Sequence, residues 1–277
     1  MLGLRILTGV LAVPLLLLIA FDDGWLFKLG VVAAGLIGTG EALWMAAQAG
    51  YRPLSAFSLL LALAILGDAA LSFGLPSGPF ALPPLTAGQL LAPALGVAAL
   101  GSLAVLMVRP SQHGAINDWA LTLALPIYVA GLLRFFFPLR YAAGSGLLTW
   151  PAIVLVVSWS CDIAAYAVGR LLGRVRLAPQ ISPAKSVEGA VAGVVAAALV
   201  TAGLFRPTGQ SPLLLAGLGL AIGVGSVVGD LAESLLKRQC GVKDSGFLMP
   251  GHGGLLDRMD ALLGAAACAY FYLQAVL

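Results

Sequence analysis

The sequence predicts an all-α fold, a polytopic membrane helical bundle of about nine transmembrane helices with a polar site at its cytoplasmic end. Three observations predict it. Of 277 residues, 60% are hydrophobic and only 10% are charged, whereas a soluble domain carries about 25% charged residues. Mean hydropathy is +1.01. The apolar residues also fall into runs close to the 20 or so that a helix needs to cross ~30 Å of hydrocarbon.

The runs are 4–20, 25–48, 54–73, 88–108, 118–137, 147–172, 187–205, 212–236 and 258–277. Polar or turn-forming segments separate them, among them Tyr51-Arg52-Pro53, Gly74–Gly88, Arg109–Asn117 and Gln239–Asp257. The first run has a basic start at Arg5, but large Leu18 spoils a small-residue cleavage pair, so it reads as a retained span. A cytoplasmic N-terminus puts eleven basic residues inside and four outside, Lys28, Arg134, Arg140 and Arg206, as positive-inside bias requires. Residues 1–146 read as a scaffold of about five spans. Residues 147–277 read as a catalytic region of about four spans, with cytoplasmic loops at 173–186 and 239–257.

Several classes are excluded. No basic stripe interleaved with aromatics suggests a nucleic-acid partner. Cys161, Cys240 and Cys268 have no metal-site spacing and read as small hydrophobes. The run Gly223-Val-Gly225-Ser-Val-Val-Gly229 is one residue too long for a dinucleotide fingerprint, and no Walker A sequence occurs. Gly35, Gly189/Gly193, Gly219/Gly223 and Gly225/Gly229 read as faces for close helix packing.

Charge is concentrated in one third of the chain: sixteen of the 27 charged residues lie between Ser158 and Asp260. An ionisable group at membrane depth costs at least ~2.5–3.5 kcal/mol, so it is a functional candidate by default. Asp162, Tyr166 and Arg170 fall at i, i+4 and i+8 on one helical face; an Asp satisfied by a neighbouring helix and a snorkelling Arg is the plainer alternative. In Ser182-Pro-Ala-Lys185-Ser186, Ser186 or a neighbour can cap the next helix, and Ser182, Lys185 and free amides suit an anion. Asp230, Glu233, Ser234 and Lys237 form one helical stripe ending at Arg238.

The fourth patch runs from Lys243 and Asp244 through Pro250-Gly-His252-Gly253-Gly254 to Asp257, Arg258 and Asp260. Its glycine-rich turn feeds a helix whose first turn carries two carboxylates at i, i+3. They suit a hard cation such as Mg²⁺ completed by substrate phosphates; capping the helix is the alternative role. Carboxylates for a metal, cations for phosphates and a glycine loop at one mouth of a bundle suit phosphoryl or nucleotidyl transfer to a lipid.

The run from Ser234 through Lys237-Arg238, Lys243-Asp244, Gly246, Pro250, His252-Gly253-Gly254 and Asp257-Arg258 to Asp260 resembles the signature of the phosphatidate cytidylyltransferase (CDP-diacylglycerol synthase) family. Similar too are Asp162–Arg170, Ser182–Gly189 and Gly229–Ser234. Dense matching covers about 100 residues. Met249, Ala184, Ser186 and Ala164 depart from the usual pattern, and Ala184 removes a cation beside Lys185.

The resemblance implies that CTP and phosphatidate give CDP-diacylglycerol and pyrophosphate with Mg²⁺ as cofactor, a paired centre that can include K⁺. It implies metal ligands at Asp230, Asp257 and Asp260, and catalytic roles for Asp230, Asp257, Lys237 and Lys243. Ser182, Lys185, Glu233, Ser234, Arg238, Asp244, His252, Gly253, Gly254, Arg258, Asp162, Tyr166 and Arg170 are the implied substrate-binding residues. His252 is assigned to loop geometry or a phosphate contact ahead of proton transfer. The implied setting is the inner (plasma) membrane, with the site facing the cytoplasm and the lipid bilayer and a second copy of the chain as partners. A nucleotidyltransferase acting on a different lipid phosphate is the runner-up reading, and a membrane transporter the rival from another class.

Overall fold

A computed structural model describes residues 20–22, 24–73, 88–109, 114–142, 149–205, 208–249 and 253–276. Its helices are α1 (Trp25–Gln48), α2 (Ser55–Ser72), α3 (Leu91–Met107), α4 (Ala115–Leu133), α5 (Phe136–Tyr141), α6 (Trp150–Leu172), α7 (Val187–Leu204), α8 (Pro212–Gln239) and α9 (Leu256–Val276). Among the described residues, seven helical segments are long and apolar enough to span a membrane, with α4 and α5 counting as one. The expected span at 88–108 appears as α3, apolar but only 17 residues long. The expected first span, 4–20, lies outside the described residues but for its last position, as do His252 and Arg206.

The all-α bundle is observed, and the expected loop at 173–186 adds one minor element to it. It holds a two-stranded antiparallel sheet, β1 (Arg176–Ala178) and β2 (Ser182–Ser186), with Arg176 opposite Ser186 and Ala178 opposite Ser182. The strands are three and five residues long and β2 contains Pro183. No alternation of polar and apolar residues announces them, and proline is tolerated because each strand is an edge.

The chain forms two compact units. The first comprises 22–141 together with 239–257, and the second 142–238 together with 258–277. In the first, α2 packs against α1, α3 and α4. Its core is apolar, with Leu61, Ala62, Leu66 and Val129 buried and Phe27 meeting Phe137 edge-on at 5.9 Å. A methyl at Gly35 would come 2.4 Å from Leu66 Cδ1, so a bare backbone is what lets α2 lie so close.

Charges in this unit hold turns. Asp118 in the first turn of α4 accepts from Arg52 N at 2.7 Å and pairs with Arg109 at 3.1 Å. Thr122 Oγ1 accepts from Leu54 N at 2.9 Å, so one face of α4 fixes the whole 52–54 turn. Asp68, fully buried, accepts from Gly88 N and Leu90 N and pairs with Arg134 at 3.7 Å. A buried carboxylate must find such partners because its desolvation is otherwise uncompensated.

In the second unit, small residues set the helix spacing. A methyl at Gly189 would come 2.6 Å from the Ala165 carbonyl oxygen, and one at Gly193 2.7 Å from that of Cys161, so α7 lies directly on α6. Gly219 approaches the Ala197 carbonyl in the same way, bringing α8 onto α7. Gly225 and Gly229 lie against Gly264 and the Asp260 carbonyl of α9. Inside this unit Ser158 and Ser226 share a 2.8 Å hydrogen bond between α6 and α8. Polar side chains in an apolar bundle satisfy one another across helices in this way.

Candidate functional site

The second unit holds a cavity of about 830 Å³ whose polar lining includes Asp162, Tyr166, Arg170, Lys185, Ser186 and Asp230. The C-terminal half of α6 supplies the first three. They line one face as the i, i+4, i+8 spacing predicts, and Arg170 Nη1 donates to the Tyr166 hydroxyl at 2.9 Å. The hairpin supplies Lys185 and α8 supplies Asp230, and these two form an ion pair across the cavity wall.

Ser186 is the N-cap of α7, its hydroxyl accepting from Gly189 N at 3.2 Å. This is the capping role expected for it. Glu188, in the first turn of α7, turns back to accept from the amides of Arg174 and Val175 and so holds the hairpin's entry. Arg238 Nε donates to the Ile181 carbonyl at 3.2 Å, tying the end of α8 to the hairpin turn. Ser182 lies in β2 opposite Ala178, off the cavity lining.

Further along α8, the predicted stripe is present. Ser234 Oγ donates to Asp230 Oδ1 at 3.3 Å, and Lys237 Nζ meets the fully buried Glu233 carboxylate at 2.6 Å. Asp260 of α9 adjoins Glu233, and Asp162, Asp230 and Asp260 interact electrostatically with Lys185 also in range of Asp162. Four carboxylates and two lysines therefore share the polar end of this unit.

The remaining predicted residues belong to the first unit. Lys243 and Asp244 are exposed, and Gly253, at φ +81°, adopts a left-handed conformation that favours glycine. Met249 N donates to the Gly253 carbonyl at 2.9 Å. Asp257 Oδ2 accepts from Ser245 N at 2.8 Å, Ser245 Oγ at 2.9 Å and Gly254 N at 2.8 Å. Asp257 thus anchors the loop as well as opening α9. Arg258 is exposed.

Glu41 was not among the residues expected from sequence. It lies near the end of α1 and accepts from Leu255 N at 2.8 Å, Leu256 N at 2.7 Å and Ser245 Oγ at 3.2 Å. A signal existed: it is the lone carboxylate in the 24-residue α1. Spacing alone does not connect it to the site, because more than 200 residues of sequence separate it from its partners.

Magnesium takes oxygen ligands and often only one or two carboxylates, filling its shell with water and substrate phosphates. Asp162, Asp230 and Asp260 are donors of that chemistry. Among the described residues, no three acidic, imidazole or thiol groups converge on a point that would hold an ion unaided. The donor set therefore fits a cation shared with a phosphate ligand better than a closed protein cage. All three cysteines are free, and Cys161 is fully buried, in keeping with their reading as apolar residues.

Comparison with known proteins decides the family. The pattern described as the cytidylyltransferase family matches residues 3–276. The chain belongs to the cytidylyltransferase family. Within this family it is 32% identical to a phosphatidate cytidylyltransferase of Synechocystis sp., over 99% of this chain and 97% of the relative. A phosphatidate cytidylyltransferase of Bacillus subtilis is 43% identical over 53% of this chain and 55% of its own length. One from Brucella melitensis is 50% identical over 43% of this chain and 44% of its own length.

Proposed function

We propose that this member of the cytidylyltransferase family is a phosphatidate cytidylyltransferase, transferring CMP from CTP to phosphatidate to give CDP-diacylglycerol and pyrophosphate. The observation that carries the reading is the similarity over nearly the entire length to the Synechocystis protein of that name. The geometry supports it: an anion-compatible cavity with Lys185 and Arg170 in its wall lies in a unit of apolar spanning helices, where a lipid phosphate can arrive from the bilayer.

In this reaction a phosphatidate oxygen forms a bond to the α-phosphorus of CTP while the bond from that phosphorus to the bridging β-oxygen breaks. The electron pair leaves with pyrophosphate. An ionised phosphate monoester needs no strong base to attack, so the protein's contribution is positioning and charge stabilisation. Lys185 and Arg170 bind phosphate oxygens in the cavity, Lys237 and Arg238 add positive charge at the polar end of the same unit, and the signature likeness gives Lys243 a catalytic role as well. Lys185 exchanges its Asp230 partner for phosphate as substrate enters. Asp230 would hold Mg²⁺, which would supply positive charge to stabilise the phosphate oxygens of the substrates. The signature likeness extends the metal role to Asp257 and Asp260.

The same proposal places the chain in the cell's inner membrane with the cavity toward the cytoplasm, as a homodimer whose mass in detergent can be measured directly. Purified protein given phosphatidate, Mg²⁺ and CTP, ATP, GTP or UTP in turn is expected to release pyrophosphate with CTP alone. The lipid product should gain the mass of CMP, and EDTA should stop its formation. Product from another lipid phosphate but not from phosphatidate would overturn the substrate assignment, and silence with all four nucleotides would overturn nucleotidyl transfer.

A further inference from the structure

The geometry points to Glu41 as a positioning residue for the reaction: its carboxylate, delivered by α1, sets the conformation of residues 254–256 beside Ser245 and so the place of Asp257. The catalytic half of this inference rests on the cytidylyltransfer reading. The structural half rests on contacts within the first unit alone.

The loop brings three donors to Glu41. Leu255 N and Leu256 N are amides at the start of α9, where the first turn of a helix has no intrahelical acceptor for its N–H groups. Such amides usually find a local cap. Here one acceptor comes from the following turn and the other from a different helix: Asp257 takes Gly254 N, and Glu41 takes the next two amides. The two carboxylates thus divide the three successive amides between them.

Ser245 joins the two carboxylates. Its hydroxyl, fully buried, lies 3.2 Å from Glu41 Oε2 and 2.9 Å from Asp257 Oδ2. A hydroxyl carries one proton and can donate to only one of them at a time. The Asp257 amide in turn donates to the same Oγ at 3.2 Å. Moving Glu41 therefore reorganises what Asp257 receives.

The glycines of the loop fit this account. A methyl at Gly246 would come 2.7 Å from Glu41 Oε1, and one at Gly254 2.5 Å from Oε2 and 2.2 Å from Ser245 Oγ. Both are buried, and neither has the positive φ that would require glycine for backbone reasons. What each position needs is room for the Glu41 carboxylate.

The test is hydrogen exchange and kinetics on the full chain in detergent, comparing wild type with Glu41→Gln and Gly246→Ala. The first removes the charge while keeping the shape; the second displaces the carboxylate while keeping the charge. In both, exchange at the Leu255 and Leu256 amides should rise roughly tenfold or more, since bonds to a charged acceptor are among the stronger ones, while the amides of α1 stay protected. The kcat with CTP should fall further than KM rises. The loss in Glu41→Gln combined with Ser245→Ala should be smaller than the product of the two single losses, because the residues act through one contact. Unchanged exchange at both amides in both variants would overturn the inference even if activity fell. Multiplicative losses in the double variant would overturn the coupling to Asp257. Wild-type protein that makes no CDP-lipid would defeat the functional reading instead, leaving the exchange result to judge Glu41.

Discussion

Asp230 and Lys185 show how little of a site's chemistry a single residue type reveals. Each was expected to meet something other than protein, a metal for one and a phosphate for the other, and the structure pairs them with each other. Each side chain keeps 29% of its surface exposed, and ion pairs in contact with water are worth no more than about 1 kcal/mol. Such a pair is easily parted by a more highly charged ligand. Asp230→Asn should therefore leave the melting temperature within a few degrees of wild type. It should reduce CTP-dependent turnover by roughly a hundredfold or more, on the scale of losing one preorganised charge contact. A large fall in stability with turnover per folded molecule unchanged would assign Asp230 to structure.

At the level of helices, hydropathy made most of the architecture legible. The runs 25–48, 187–205 and 212–236 reappear with nearly the same limits because burial in lipid and burial in protein demand the same apolar length. The hairpin at 176–186 was not legible: its order comes from backbone pairing and from Glu188, and neither leaves a period in the sequence. The motif spacing around Asp162 and Asp230 correctly marked faces. It could not tell that Ser182 is off the cavity lining or that Glu41 belongs with Asp257, because those facts depend on which element packs where. The contact of α8 with α9 yields a direct test. A methyl at Gly264 would stand 2.1 Å from the Gly225 carbonyl oxygen, a backbone atom that cannot swing aside. Gly264→Leu should separate the two helices and lower the thermal midpoint by several degrees, the range of a cost of about 1–3 kcal/mol from overpacking. Gly203→Leu, on α7 with open space around it, should not. Equal stability of the two variants would show that α8 and α9 are not in close backbone contact.

For the molecule as a whole, the orientation expected from the uneven distribution of basic residues is one that labelling can test. With Cys240 and Cys268 replaced by Ala, a cysteine introduced at Arg176 should react with an impermeant maleimide only when the cytoplasmic face is open, and one introduced at Arg140 only from the opposite side. Native Cys161 is buried and should stay silent. Reaction of both from the same side would reverse the sidedness of one of the two segments. The clasp between Glu41 and the 243–257 loop reaches further than the residues it joins. A gene fragment beginning at codon 147 would encode every position of the signature and would pass any motif search as a family member. It would nonetheless lack the acceptor that Leu255, Leu256 and Ser245 use. Made as two polypeptides, the chain should regain its loop only when the piece bearing α1 is supplied in the same membrane. The residues that carry the family signature and the acceptor that holds their loop therefore lie in different stretches of this protein.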